Sequence, residues 1–429
     1  MIPINRLFKN FSWLAISQAA NLALPLFIYP YILRIITIEA FGMVVLAQAV
    51  SMYFVQLADY GFSITAVQHI ATHKENNHKV NSIFSLLYST RLLLLVLSFG
   101  LFFMLVNLIS EWKAESSMFI SSFSIVIGQA MMPIWWYQGK EKMNGVAYMN
   151  IISKAIFLIS ILFLIQGEDD YIYINLCLGG SQILVGGAAI MIIVLKNNLR
   201  WPLSTISSIK SVLKHNYPIF LSNLFGFISG NSNLLIVGLL ADPISTGYYG
   251  IIEKILLAIR APAVLLYQTV FPRVCLLAEK SFRSLLQFLK RLTHIILLVF
   301  IPMSVLIIIF ADHLIFLFTN EYLQTPTILL QIISFVPLFA ALNIPACQTM
   351  LAYGLRKSYA RTMITGAALN IILNISLISL FSVYGAALAA LSTELLITSL
   401  LFTNLAVFHK DYSVISVFNL TLISNGQAN

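Results

Sequence analysis

The chain has 429 residues, of which 59% are hydrophobic and 10% charged, against about a quarter charged in soluble domains; a water-soluble globule is excluded. At about 20 residues per spanning helix, the apolar content suffices for about a dozen spans and leaves no room for a sizeable soluble domain. The net charge of +9 is dispersed between apolar runs, which points to membrane orientation and away from nucleic acid.

Arg6 and Lys9 precede the first apolar run, 11–36, which is too long for a signal-peptide core and reads as a retained span. Further runs follow at 41–67, 82–108, 117–138, 145–166, 172–195, 217–241, 244–270, 292–311, 327–353, 362–381 and 386–408. Each is long enough, at about 1.5 Å per residue, to cross about 30 Å of hydrocarbon as a helix, and the alternating segments of a barrel are missing. Pro25 and Pro30 in the first run, and Pro337 and Pro345 in the tenth, predict bends. Cys177, Cys275 and Cys347 stand far apart and read as packing residues.

A cytoplasmic N-terminus puts 19 of the 25 Lys and Arg inside, with Glu39, Glu111, Glu115, Glu168 to Asp170, Asp242, Asp312 and Glu321 outside. This asymmetry predicts that both termini are cytoplasmic. The halves repeat weakly: an offset of 205 lays Ala40-Phe41-Gly42 on Ser245-Thr246-Gly247, and an offset of 215 lays Gln138-Gly139-Lys140 on Tyr353-Gly354-Leu355. Each half starts inside, so the repeat is parallel. The expected fold is an all-α polytopic membrane protein of about twelve helices. It comprises a six-helix lobe over 1–200, a cytoplasmic linker over 201–216, a second six-helix lobe over 217–410 and a tail over 411–429. The basic connections 196–216 and 272–291 are amphipathic; the second reads as a helix lying on the inner leaflet, while for the first a solvated linker fits equally well.

Ionisable residues inside spans are costly and mark function by default. Arg34, Asp59, Arg91, Lys154, Glu253, Lys254, Arg260 and Glu394 fall there. Arg34 and Asp59 lie near span ends, where snorkelling or pairing accounts for them. Arg91, Lys154, Lys254 and Arg260 are candidates to line a cavity for an anionic head group. Asp59, Glu253 and Glu394 are candidates for coupling or ion pairing. Glu253 and Arg260, seven residues apart, share a helical face; that face suits either an intramembrane salt bridge or a water-filled path. Gln18, Asn21, Asn231, Asn233, Asn370 and Asn374 can bond sugar hydroxyls or neighbouring helices. Catalytic constellations are missing: His69 and His73 lack the glutamate of H-E-x-x-H, and no phosphate-binding G-x-x-x-x-G-K-[ST] occurs. No metal, cofactor or nucleic acid is expected.

Three stretches carry a resemblance. Ile134-Trp135-Trp136-Tyr137-Gln138-Gly139-Lys140-Glu141-Lys142-Met143 resembles the P-x-W-[FW]-[FY]-Q-G-x-E-[KR]-M stretch of the O-antigen flippase (Wzx) family. Asp59-Tyr60-Gly61-Phe62 is similar to its D-[FY]-G-[FL], and Thr246-Gly247-Tyr248-Tyr249 through Glu253-Lys254 is similar to its G-Y-Y-x-x-x-E-K. Phe271-Pro272-Arg273 and Thr319-Asn320-Glu321-Tyr322 follow in order, although relatives often have glycine near Thr319-Asn320. The resemblance implies the fold of the multidrug/oligosaccharidyl-lipid/polysaccharide (MOP) exporter superfamily, with two six-helix lobes rocking around a cavity. It also implies a substrate, an undecaprenyl-diphosphate-linked oligosaccharide crossing the bacterial inner membrane, and as partners membrane lipids, a polysaccharide polymerase and a chain-length regulator. The family's sugar-facing set varies too much to transfer. Rival readings are a drug or cation antiporter of the same superfamily, and a membrane polymerase or glycosyltransferase, for which the outer connection 312–326 is short.

Overall fold

The computed structural model describes residues 13–408 apart from 14–15, 19–20, 22–24, 74–75 and 200–203. Arg6, Lys9, Lys74, Arg200, Lys410 and the tail 411–429 therefore lie outside the described residues, as does part of the 201–216 linker. Among the described residues the chain is helices joined by short turns, as a bilayer core demands when every backbone N–H and C=O must bond internally. Among the described residues ten helices are long and apolar enough to span, or eleven if the one broken near residue 229 counts once. The first predicted run is only partly described, with helix over 25–33, and stands outside that number.

The chain divides into two compact units, Met1–Phe227 and Ile228–Asn429. The first contains α1 (Ile38–Asp59), α2 (Phe62–Thr72), α3 (Asn77–Leu108), α4 (Ser110–Ala114), α5 (Ser116–Met131), α6 (Ile134–Gly139), α7 (Met143–Leu164), α8 (Ile174–Asn197) and the start of α9 (Ile206–Leu240). The division falls inside α9, beyond the 201–216 connection that the sequence offers as the linker.

Helices α5 and α8 form the tightest seam of the first unit. Gly179 lies directly against Ser124 and the backbone of Ile125, and a Cβ on Gly128 would come within 2.7 Å of Gln182. Small residues at such crossings let helix backbones approach where no hydrophobic driving force exists between helix and lipid. A buried amide network crosses the same region. Asn175 accepts from Gln48 Nε2 at 2.7 Å and donates to Ser122 Oγ at 2.8 Å and to the Val44 carbonyl at 3.0 Å.

The second unit contains the end of α9, then α10 (Pro243–Ile259), α11 (Ala261–Lys280), α12 (Phe282–Ile309), α13 (Ala311–Thr319), α14 (Gln324–Ile333), α15 (Val336–Ala352), α16 (Arg356–Phe381) and α17 (Val383–Phe408). Its core is shared by α11, α12, α15 and α17 through Val274, Leu285, Leu289, Ile296, Ala341, Met350 and Leu401. Leu298, Leu380 and, in the first unit, Phe163 stay largely exposed, a surface suited to lipid rather than water.

Three sequence expectations need correction. The run 244–270 is not one helix: it breaks at Arg260, because Pro262 has no N–H to bond the Ala258 carbonyl. The stretch 272–291 is not a separate surface helix. It is the end of α11 and the start of α12, with Ser281 capping the Ser284 N–H at 3.4 Å and Leu285 and Leu289 fully inside the core. The second repeat register is 213, not 215. Glu141 and Gly354 both adopt left-handed φ, 57° and 71°. The next N–H then bonds five residues back, Lys142 to Tyr137 and Leu355 to Met350, each at 2.8 Å, so both segments end in the same C-cap.

The first register holds at atomic level. Thr37 caps α1 by accepting from the Ala40 N–H at 3.2 Å, and Asp242 caps α10 by accepting from the Ser245 N–H at 2.8 Å. Both pairs are 205 residues apart.

Candidate functional site

The first unit places Asp59 at the last residue of α1, before Tyr60 and Gly61 in left-handed conformation (φ 46° and 79°). This turn explains the D-Y-G-F stretch. Asp59 Oδ2 accepts from the Ser63 N–H at 3.2 Å and caps α2, Tyr60 stacks on Phe220 at 4.4 Å between ring centres, and Gly61 leaves no room for a Cβ beside Ile219. The other oxygen of Asp59 receives Arg91 Nη2 at 2.6 Å, while Arg91 Nη1 donates to the Ala130 carbonyl at 3.0 Å. The pair borders a cavity of about 270 Å³ that Gln129, Trp135 and Gln138 also line. The sequence singles out Asp59 and Arg91 separately; the fold makes them one ion pair.

The Trp135-Trp136-Tyr137-Gln138-Gly139 stretch is α6, a short helix that Pro133 separates from α5. Trp135 and Trp136 are buried against Phe84, which meets the second indole edge-on at 6.0 Å. A Cβ on Gly139 would come within 2.7 Å of Ile70, so the glycine allows α6 to lie on α2. Lys140 sits 5.6 Å above the Trp136 ring, and Glu141 and Lys142 are exposed. In the partly described first run, Ser17 accepts from Asn150 Nδ2 at 2.7 Å. Asn21 is four residues beyond Ser17 in the sequence, and Lys154 lies one turn beyond Asn150 on α7; both are half-buried.

In the second unit the broken span matters most. Arg260 reaches not Glu253 on its own helix but Glu394 on α17, with Nη2 at 3.8 Å from Oε1. Glu394 also accepts from Asn343 Nδ2 at 3.1 Å, and the buried Arg260 Nε and Asn343 Oδ1 keep open hydrogen-bonding capacity within the protein. Beside this lies an amide ladder. Asn374 donates to Asn233 Oδ1 at 2.8 Å, Ser232 donates to Asn370 Oδ1 at 2.7 Å, and Asn370 donates to Thr393 at 3.2 Å. Tyr249, one turn before Glu253 on α10, is buried. Lys254 is half-buried and engaged by neighbours, and Asn231 is exposed. Ser232, Asn343 and Thr393 escaped sequence reasoning, since single Ser, Thr and Asn residues in a span carry no pattern of their own.

The family described as "Polysaccharide biosynthesis protein" matches residues 7–276. Two curated relatives bear the name of candidate O-antigen transporters. That of Escherichia coli (strain K12) is 26% identical over 395 residues, covering 92% of this chain and 95% of its own. That of Shigella dysenteriae is 25% identical over 399 residues, covering 91% and 97%. Among solved structures, the lipid II flippase MurJ in an inward closed conformation aligns with a TM-score of 0.73 at 15% identity, over 98% of this chain and 94% of that one. An inward-facing multidrug resistance MATE family transporter of the MOP superfamily aligns with a TM-score of 0.62 at 14% identity, over 94% and 99%. At such identities the structural likeness gives the fold alone, that of the MOP transporters.

Proposed function

The chain belongs to the polysaccharide biosynthesis protein family, and on that footing we propose that it is a flippase for lipid-linked oligosaccharide. It carries an undecaprenyl-diphosphate-linked O-antigen or related unit from the cytoplasmic to the periplasmic leaflet of a bacterial inner membrane. The observation that carries this reading is the similarity to two candidate O-antigen transporters over nine-tenths of the chain. Two lobes, 1–200 and 217–410, alternate access to a shared path, with both termini cytoplasmic. The protein performs no chemistry on its cargo and hands it to a polymerase under a chain-length regulator.

Physical chemistry supports the assignment of roles. Moving one ion from water into a medium as apolar as hydrocarbon costs about 20 kcal/mol in the ideal limit, so a diphosphate needs cations and dipoles along its way. Arg260, Lys254 and Lys154 supply positive charge. Arg91, locked to Asp59, acts on the fold. Asn21, Asn231 and Asn233 offer amides to sugar hydroxyls. In a deletion strain the complete lipid-linked unit should accumulate on the cytoplasmic leaflet. Arg260→Ala and Lys254→Ala should each impair surface polysaccharide export at unchanged membrane levels. Full complementation by both variants would overturn the cationic roles. Drug resistance on overexpression, without accumulation on deletion, would favour the antiporter.

A further inference from the structure

The Trp-Trp-Tyr-Gln-Gly-Lys-Glu-Lys stretch and the ends of α7 and α8 enclose a groove of about 620 Å³, within the range of about 300–1,000 Å³ typical of ligand pockets. Its two ends differ in chemistry. Lys140, Lys142 and Lys196 line one end with Asn144 and Asn197, and among the described residues no acidic side chain lines the groove. From there it continues between the helices over Tyr148, Ile152 and Ile156 of α7 and Leu184, Ala188 and Ile192 of α8, all apolar or aromatic. Lys196 to Leu184 spans twelve residues, or about 18 Å of helix at 1.5 Å per residue. This is close to one leaflet of a hydrocarbon core about 30 Å thick plus part of its interface. The charge bias of the connections puts the lysine end inside.

We propose that this groove holds one anionic glycerophospholipid of the cytoplasmic leaflet. Its phosphate sits among the three lysine ammonium groups and one acyl chain lies along the trough. Charge and depth together select this occupant. Three cations at the interface discriminate against a zwitterionic head group, and an apolar trough one leaflet deep matches an acyl chain. Lys140 is already steered by the Trp136 ring beneath it at 5.6 Å, so part of the ordering cost of the site is met before lipid arrives. The site belongs to the first unit and does not depend on what the protein transports.

The test is lipid retention by the full-length protein, purified from membranes and examined by native mass spectrometry after exchange into mixed phosphatidylglycerol and phosphatidylethanolamine. The wild type should keep one phosphatidylglycerol in preference to phosphatidylethanolamine. K140Q/K142Q/K196Q should lower that preference by about ten- to hundred-fold. Ala188→Phe, which fills the trough and leaves the lysines in place, should lose the bound lipid. Circular dichroism and melting temperature report whether either variant is folded, and Lys196→Arg should retain the preference. Unchanged retention in both the lysine and the Ala188 variants would overturn the proposal. So would displacement of the retained lipid by undecaprenyl diphosphate but not by phosphatidylglycerol, which would make the groove a substrate site.

Discussion

Two ion pairs within the helices differ in what their geometry can bear. Arg91 is 4% exposed and bonds Asp59 at 2.6 Å and the Ala130 carbonyl at 3.0 Å. Removing one partner of such a pair leaves a buried charge uncompensated, at about 3–5 kcal/mol. Asp59→Asn keeps an oxygen to cap Ser63 and so isolates the charge; Arg91→Met keeps the length of the stem. Each single variant should lower the stability of the solubilised protein by that amount, and the double variant should lose clearly less than the sum, as read from unfolding midpoints. Arg260 and Glu394 are 3.8 Å apart with side chains 32% and 22% exposed, a longer and less buried contact than the first pair, so its loss costs less. Arg260→Ala should therefore lower the midpoint by less than Arg91→Met does, while it impairs export. A large drop in stability would recast Arg260 as a structural residue.

At the scale of helices, adjacent glycines on α8 give a controlled comparison. A Cβ on Gly179 would meet Ser124 and the backbone of Ile125 across the α5 seam, whereas one on Gly180 meets open space. Overpacking costs typically about 1–3 kcal/mol, while alanine in a helix interior is favoured over glycine by about 1 kcal/mol. Gly179→Ala should lower the unfolding midpoint, and Gly180→Ala should leave it level or raise it. The caps provide a second handle. Burial raises the carboxyl of Asp242, but its bonds from Ser245 and nearby N–H groups outweigh this and hold it below the ordinary carboxylate range. A lowered folded value means that the contribution is present above the ordinary range and is lost as pH falls through the lowered one. Asp242→Ala should cost about 0.5–2 kcal/mol near neutrality and less in strong acid. Asp242→Asn, which still accepts from Ser245, should recover most of it without that pH dependence.

Across the whole molecule, what the sequence revealed and what it hid have one physical origin. Apolar runs and the D-Y-G-F and W-W-Y-Q-G stretches are local, and the helices, the Tyr60-Gly61 turn and α6 appear where those patterns lie. Partners are not local. Periodicity places Glu253 and Arg260 on one face, yet only the fold brings Arg260, at the break between α10 and α11, to Glu394. Orientation is again a sum over the chain, since no single lysine decides it and the excess of basic connections on one side does. It can be tested without a substrate. Cys177, Cys275 and Cys347 are free thiols and can be replaced, after which D169C and K142C each report one side. Asp169 belongs to the acidic connection and Lys142 to the basic one, so a membrane-impermeant maleimide added to spheroplasts should label D169C at once and K142C only after lysis. Immediate labelling of K142C with protection of D169C would invert the molecule and turn the lysine groove to the outer leaflet.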